Sequence, residues 1–335
     1  MSKYLNITDK RVTITGGAGF IGSHLALDLV NRGSIVRIAD NLERGRLEYI
    51  ERIVNSIEFM EKDLRDSSVC LEVCDGADIV FHLASKVGGI GYYQHNPAEV
   101  ILENSLIDSN MLTAALGKNV KKYFYASSAH VYPNRLQQTP DARPIREEDA
   151  YPANPGLSYG WAKLLAEKQL EYVHEEKAPI GIAIARLIGI YGGNQDIGLE
   201  TGSVIPVFSR RAFEFPKNGP FVIWGTGEET RSFCFIDDAI DCMKSMVEAL
   251  EAHSLIGPLN VGRSDRIKIV DLARMIIRVS GKNIEPEFDI SKNTLIWGQL
   301  CDCSRAEKEL NGWRAETSIA QGLLRVYEDV ARRAG

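Results

Sequence analysis

Two residues of the segment Tyr159-Gly-Trp-Ala-Lys163 have side chains that can carry out redox chemistry together. Their spacing places a phenol and an ammonium on the same face of a helix. A free tyrosine titrates near pH ~10, and a neighbouring positive charge favours the phenolate and lowers that pKa. Tyr159 can then remove the proton of an alcohol while hydride leaves the carbinol carbon. Ser128 can hydrogen-bond to the same oxygen and stabilise the charge that develops on it.

A glycine-rich segment near the start of the chain is typical of a dinucleotide site. Gly17-x-Gly19-x-x-Gly22 follows the β-branched run 12–15 and precedes an amphipathic stretch. Glycines there permit a tight turn, and backbone amides at a helix start can approach a pyrophosphate. Asp40 ends the second β-branched run, where a carboxylate accepts hydrogen bonds from ribose hydroxyls and repels a 2′-phosphate. We therefore expect NAD rather than NADP, although Arg44 and Arg46 follow closely and soften this preference.

Elements that can position these residues follow from the hydrophobic pattern. We predict strands over 12–15, 35–40, 57–60, 78–83, 122–127 and 180–186. Helices are predicted over 20–31, 98–116, 157–177, 237–251 and 271–279. This alternation, with nearly continuous apolar strands, predicts an α/β fold with a doubly wound parallel Rossmann sheet.

The predicted organisation has two interleaved parts. An NAD-binding Rossmann domain covers 1–186, and the segment at about 228–255 returns to it. A smaller C-terminal α/β substrate lobe is formed by 187–227 and 256–335, which are rich in Gly, Pro and aromatic residues. We see no linker that marks a clean boundary between the two.

Composition excludes several classes of protein. The 335 residues carry a formal net charge of −6, which argues against nucleic acid as a partner. Residues 1–10 are polar, and no apolar run approaches the ~20 residues that cross a bilayer, so we expect a cytoplasmic protein without membrane contact. Six cysteines lack the spacing of a zinc site, so we expect buried, reduced thiols and no bound metal.

Motifs spread in order over almost the whole chain resemble those of the extended short-chain dehydrogenase/reductases. They are 15–22, Asp40, Asp63-Leu64, 82–84, Asn104, 127–129, Tyr159/Lys163 and 231–238. This family consists mostly of nucleotide-sugar epimerases, dehydratases and reductases. The resemblance implies NAD as the cofactor and a nucleoside-diphosphate sugar as the substrate.

The resemblance also implies residue roles, in addition to those argued above. The catalytic set is Tyr159, Lys163, Ser128 and His130. The cofactor set is Gly16, Gly19, Phe20, Ile21, Gly22, Asp40, Asn41, Asp63, Leu64, Leu83, Ala84, Ser85, Asn104, Ser127, Tyr159 and Lys163. The substrate set is Gly89, Ser128, His130, Tyr159, Asn194, Val204, Arg211, Trp224, Arg231 and Gln299.

Within the family, residues 86–94, 123–133 and 148–155 are most similar to the GDP-mannose 3,5-epimerase branch, which favours a GDP-sugar. That branch oxidises C4 and then moves protons at the flanking carbons, using a Cys two residues after the catalytic serine. His130 stands at that position here. A second Lys or His of the branch is absent from the loop 194–206, which offers Asp196, Glu200 and Ser203. Gln299 replaces a phosphate-binding Arg.

His130 has two interpretations. Imidazole titrates near neutrality, so His130 is a candidate additional acid/base for an acidified α-proton of a 4-keto sugar. Alternatively, it hydrogen-bonds the substrate or packs under the loop.

The predicted function is an NAD-dependent nucleotide-sugar epimerase that works through a transient 4-keto sugar. A 4-keto-sugar reductase or dehydrogenase uses the same Tyr159 and Lys163, and a 4,6-dehydratase is a further alternative. The dehydratase usually has an acidic pair after its catalytic Ser or Thr, where this chain has Ala129-His130. A catalytically silent dinucleotide sensor has no need of a tuned phenolate and is the weakest alternative.

Helices near 98–117 and 158–176 can pair across a two-fold axis, as in resembling enzymes, which predicts a homodimer.

Overall fold

The apolar runs of the first half form one parallel sheet in the computed structural model, which describes residues 7–292 and 296–335. The strands are β1 (Arg11–Thr15), β2 (Ile35–Asp40), β3 (Ile57–Glu61), β4 (Ile79–His82), β5 (Lys122–Ser128), β6 (Gly181–Leu187), β7 (Ile190–Tyr191), β8 (Val222–Trp224), β9 (Thr230–Arg231), β10 (Cys234–Phe235), β11 (Leu255–Val261), β12 (Ile267–Lys268) and β13 (Glu287–Asp289).

Ten helices connect these strands within the described residues. They are α1 (Phe20–Asn31), α2 (Ser67–Cys74), α3 (Ile90–His95), α4 (Pro97–Gly117), α5 (Ser158–Glu175), α6 (Val204–Glu214), α7 (Ile236–Ala249), α8 (Ile269–Ser280), α9 (Ser304–Glu309) and α10 (Ile319–Ala334). Short 3₁₀ turns lie at Leu47–Tyr49, Glu51–Ser56, Ala129–Val131, Asn134–Leu136 and Glu147–Ala150.

The seven-stranded sheet has the order β11-β6-β5-β4-β1-β2-β3, and every neighbouring pair in it is parallel. The carboxyl ends of all seven strands therefore lie on one edge of the sheet. Thr15, Asp40, His82 and Ser128 each end a strand on that edge. In open α/β sheets this edge binds the ligand, so the fold brings the predicted residues to one place.

Helices cover both faces of the sheet, as a doubly wound fold requires. Ile14, Phe81 and Phe124 point into the core beneath α1 and α7. Val80 and Tyr123, the neighbours of Phe81 and Phe124 along their strands, point into the opposite core beneath α2, α4 and α5. Because successive strand residues face opposite sides, burial on both faces explains the continuous apolar runs.

The predicted strands and helices of the first 187 residues are confirmed to within one or two residues at each end. No predicted strand covers β11. It begins at Leu255, at the end of the segment that we expected to return to the sheet, and pairs with β6 as far as Val261. Gly257 and Pro258 interrupt its apolar pattern, and the register shifts between Ile256 and Leu259, which conceals the strand in the sequence.

The C-terminal part packs α6 against α8 and α10, and its remaining strands form two-stranded ladders. All six cysteines are buried and free, as predicted. Among the described residues, no helix is both long enough and apolar enough to cross a membrane.

Candidate cofactor and catalytic site

A cleft of about 970 Å³ lies at the carboxyl edge of the sheet. Its size suits an organic cofactor or substrate. Seventeen of the predicted site residues line it: Gly16, Gly19, Phe20, Ile21, Gly22, Asp40, Asn41, Asp63, Leu64, Leu83, Ala84, Ser85, Ser127, Ser128, Tyr159, Lys163 and Asn194. The structure thus brings almost the entire predicted cofactor set together with the predicted catalytic pair.

The glycine turn between β1 and α1 is tightly packed. Gly16 has a positive φ of 66°, and a Cβ on Gly22 would lie 2.2 Å from the Gly16 carbonyl oxygen. The α1 N-terminus starts directly after Gly19, and no side chain caps it. Its first amide groups therefore face the cleft without a side-chain acceptor, which fits a pyrophosphate of the cofactor.

Asp40 is buried at the end of β2 beside the turn. Its carboxylate accepts hydrogen bonds from Ala18 N at 3.0 Å and Leu42 N at 2.9 Å. Burial raises the pKa of Asp40, and these two amides oppose that shift. Each carboxylate oxygen can accept a further hydrogen bond, so the group fits the ribose hydroxyls of NAD.

Tyr159 and Lys163 lie in the first turns of α5, and both side chains are buried. Lys163 Nζ is 5.7 Å from the centre of the Tyr159 ring and 4.6 Å from that of Tyr125. We expected Lys163 to lower the pKa of Tyr159; burial raises that pKa instead, and a hydrogen bond with Ser85 only partly opposes it. Burial is therefore the main cause of the raised pKa of this phenol, and the charge of Asp108 raises it further.

Ser128 and His130 lie next to Tyr159. Ser128 Oγ accepts a hydrogen bond from His130 N at 3.2 Å, which leaves the serine proton available for another oxygen. The His130 ring packs edge-on against Tyr159 and Tyr93, with centroids 5.8 Å and 5.9 Å apart. Tyr93 itself stacks on Tyr159 at 5.0 Å. Burial lowers the pKa of His130 to about 4, so the imidazole is uncharged near neutral pH.

Two predicted cofactor residues use their side chains to hold neighbouring parts of the fold. Asn104 is fully buried and accepts hydrogen bonds from Ser85 Oγ at 2.5 Å and Lys86 N at 2.8 Å. Asn104 therefore fixes the loop after β4 rather than lining the cleft. Ser127 lines the cleft, but its hydroxyl donates to the buried Glu167 at 2.5 Å.

Most of the predicted substrate residues lie outside the cleft lining. Gln299 donates to Gln137 Oε1 at 3.1 Å, Arg211 donates to the Val222 carbonyl, and Trp224 is 45% exposed at the end of β8. The remaining members are His130, described above, Gly89 before α3, Val204 at the start of α6 and Arg231, which donates to the carbonyls of Thr230 and Ile296.

Two ion pairs join the loops around the cleft. Lys86, after β4, pairs with Glu43, after β2. Arg44 pairs with Asp196 at 3.1 Å, which ties the loop after β2 to the loop before α6. None of the four residues belongs to the predicted binding sets. The sequence analysis names Arg44 for the choice of cofactor, Asp196 as an acid of the loop 194–206 and Lys86 within the segment 86–94, and it does not name Glu43. Their pairing depends on loop positions that the sequence pattern does not contain.

Sequence reasoning also missed a buried acid, Asp108, whose charge interacts with that of Lys163. Asn104, Asp108 and Met111 follow helical spacing on the buried face of α4. A charged residue on such a face is the signal that could have identified it.

Comparison with known proteins agrees with this geometry. Residues 12–262 match the model of the NAD dependent epimerase/dehydratase family. The chain is 31% identical over 319 residues to GDP-mannose 3,5-epimerase of Arabidopsis thaliana, covering 95% of this chain and 81% of the relative. It is 28% identical over 329 residues to UDP-glucuronic acid decarboxylase 1 of the same organism, covering 96% and 70%. The crystal structure of UDP-glucose 4-epimerase from Thermotoga maritima, with UDP-glucose, superposes with a TM-score of 0.85 at 24% identity, covering 97% of this chain and 100% of that one.

Proposed function

Because the chain belongs to the NAD dependent epimerase/dehydratase family, we propose that it inverts a sugar carbon of a nucleoside-diphosphate sugar through a transient 4-keto intermediate. The observation that carries the proposal is the common cleft of Tyr159, Lys163 and Ser128 with the glycine turn and Asp40. A dinucleotide and a catalytic phenol in one cleft are what reversible oxidation of an alcohol requires.

In the proposed mechanism, Tyr159 removes the proton of the sugar 4-hydroxyl and later returns it. When bound, NAD supplies the redox chemistry by accepting hydride from C4 and giving it back. Ser128 donates its free proton to the same sugar oxygen and stabilises the charge there. Lys163 supplies the positive charge that favours the phenolate against the effect of burial.

His130 is proposed as the base for proton exchange next to the 4-keto group. Burial lowers the pKa of His130 to about 4, so its imidazole is unprotonated at neutral pH and available as a base, although it is a weaker base than free imidazole. Its contact with the Tyr159 ring supports this role, because a sugar whose 4-hydroxyl meets Tyr159 would also lie near His130. Epimerisation at C4 alone needs no such base. A requirement for His130 would therefore distinguish inversion at C3 or C5 from inversion at C4.

We propose a GDP-sugar as the substrate, on the strength of the similarity to GDP-mannose 3,5-epimerase. The substrate-binding residues proposed outside the cleft remain Gly89, His130, Val204, Arg211, Trp224, Arg231 and Gln299. The smaller lobe that we predicted from the sequence, which contains four of these seven residues, would hold the nucleotide.

The test is incubation with GDP-, UDP-, CDP- and ADP-sugars in deuterated water, with and without added NAD(H). We expect an epimerised GDP-sugar without net consumption of cofactor. Incorporation of deuterium at C3 or C5 by the wild type but not by His130→Gln would support His130 as the base. Inversion at C4 without incorporation of deuterium would limit the reaction to oxidation and reduction at C4. Tyr159→Phe is the matched control and should abolish turnover while binding NAD. Stoichiometric loss of NADH would instead identify a reductase, and no reaction with any sugar would contradict the proposal.

We also propose a homodimer that works in the cytoplasm. The outer faces of α4 and α5 expose Leu102, Leu106, Trp161, Leu165 and Tyr172. These two helices pack against each other, so the exposed side chains can form one apolar face. A contiguous apolar face is typical of a protein interface, and two copies related by a two-fold axis would form a four-helix bundle. The six free thiols are consistent with a reducing compartment.

A further inference from the structure

Asp108 is a charged residue inside the second core, directly behind the catalytic pair. It is only 3% exposed and projects from α4. Its carboxylate accepts hydrogen bonds from His82 Nε2 at 2.9 Å and from the Tyr125 hydroxyl at 2.7 Å. A buried charge is costly unless it is paired, so its position needs a physical reason.

Hydrogen bonding around His82 determines where the protons lie. Thr15 Oγ1 accepts from the amides of Leu83 and Ala84, both at 3.1 Å. The threonine hydroxyl therefore donates its own proton to His82 Nδ1, which is 2.7 Å away. His82 carries its proton on Nε2 and donates it to Asp108. Because Asp108 receives donors on both oxygens, the group is held as a carboxylate.

The positive charge that balances this carboxylate is Lys163. Its ammonium lies 4.6 Å above the ring of Tyr125, the same residue whose hydroxyl binds Asp108. Lys163 is the charge that does most to hold the pKa of Asp108 low. In return, Asp108 leads Glu167 among the charges that oppose the lowering of the Lys163 pKa by burial.

Glu167, the other acid near Lys163, is already engaged. Arg186 contacts both of its oxygens, at 2.6 Å and 2.9 Å, and Ser127 donates to it as well. Its charge is therefore balanced by a guanidinium inside the same core. Among the described residues, no arginine pairs with Asp108 in this way, and the cation that acts on its carboxylate is Lys163.

We propose that Asp108 is a positioning residue that acts through Lys163, as the buried counter-ion that keeps this lysine charged beside Tyr159. His82 and Thr15 orient the carboxylate and connect it to the glycine turn that follows Thr15. The inference rests on the proposed function in so far as Lys163 serves Tyr159 and the cofactor.

The titratable groups that face Lys163 come from each element around it. Tyr159 and Glu167 lie on its own helix, Tyr125 on β5, His82 on β4 and Asp108 on α4. Of the two acids, Glu167 is paired with Arg186, whereas the charge that acts most strongly on Asp108 is that of Lys163. Neutralising Asp108 should therefore let Lys163 lose its proton at lower pH.

The test is the pH dependence of turnover and of NAD binding in Asp108→Asn. At alkaline pH both kcat and the affinity for NAD should fall. We expect this fall to begin about one pH unit lower in the variant than in the wild type, which is about tenfold in the proton dissociation constant. Affinity follows the same group because the ammonium is a hydrogen-bond donor and the free amine is a weaker one. Asp108→Thr, which is neutral and accepts a hydrogen bond, replaces the amide variant if that variant does not fold.

Two controls define the outcome. Tyr125→Phe keeps the carboxylate charge and should move the alkaline fall by less than half as much. Asp271→Asn removes an exposed aspartate from α8 and should leave both curves in place. A lower melting temperature in Asp108→Asn with unmoved curves would show a purely structural role and overturn the proposal. If no sugar is turned over, the proposed function fails, but a shifted NAD-binding curve would still support the pairing of Asp108 with Lys163.

Discussion

At the scale of single residues, His130 has a protonation equilibrium that links the site to stability. Burial lowers the pKa of His130 from 6.5 to about 4. The unfolded chain therefore binds a proton at this residue between those pH values, and the folded chain does not. The contribution of the neutral imidazole to the free energy of unfolding is complete above pH 6.5, and it is lost as the pH falls towards 4.

We predict that His130→Gln loses less stability on acidification. Between pH 7 and pH 5 the difference from the wild type should be on the order of 1 kcal/mol in the free energy of unfolding, because Gln takes up no proton. Urea unfolding at both pH values measures it. His95→Gln is the control for removal of a histidine on a neighbouring helix and should behave as the wild type. An equal acid loss in His130→Gln and the wild type would contradict the prediction.

The proposed catalytic residues could be picked out from the sequence because the signals for them are local. Tyr159 and Lys163 share a helix face, and Ser128 ends a strand. The shift in the pKa of Tyr159 could not be identified, since it depends on burial. Asp108 was missed for the same reason: its partners His82 and Lys163 lie on other elements, and only the packing of α4 against the sheet brings the three together.

At the scale of elements, the contact between the glycine turn and α1 controls the shape of the proposed cofactor site. A Cβ at Gly22 would meet the Gly16 carbonyl at 2.2 Å and the Gly17 Cα at 2.6 Å. Both are backbone atoms, so neither can rotate away.

Gly22→Ala should therefore weaken NAD binding by at least tenfold and lower the free energy of unfolding by about 1–3 kcal/mol, because α1 must move away from the turn. Calorimetric titration with NAD and chemical unfolding provide the two values. Gly117→Ala, at the end of α4, is the matched control, since its nearest neighbour would be 3.9 Å from the new methyl group. Unchanged NAD affinity in Gly22→Ala would show that the turn does not hold the cofactor.

The ion pairs between the loops should slow the release of NAD. Glu43→Gln removes a partner of Lys86, and an exposed pair of this kind contributes about 0.2–1 kcal/mol. We expect NAD to dissociate about 1.5–5 times faster from the variant, and high salt to reduce the difference. Dilution of the complex into a trapping enzyme measures the rate. Glu58→Gln, which breaks the comparable pair with Arg37 away from the cleft, should not change it.

At the scale of the whole molecule, six of the seven strands of the main sheet were predictable and the short strands of the C-terminal part were not. Strands such as β4 are buried on both faces, so their apolar runs stand out in the sequence. Strands β7, β9, β10 and β12 contain only two residues each, which is too short for any periodicity. The contacts that position them, such as Ser232 with Arg263, join segments far apart in the chain.

The last prediction concerns the assembly of two chains. Leu165 is 47% exposed on the apolar face of α4 and α5, and a buried carboxylate there would lose its hydration without gaining a partner. Leu165→Glu should therefore shift the protein from dimer to monomer at micromolar concentration, as measured by light scattering, with its helix content unchanged. Leu324→Glu is closely matched, since Leu324 is 48% exposed on α10, and should remain a dimer. A wild-type protein that is monomeric under these conditions would refute the two-fold bundle and leave this apolar face without its proposed partner.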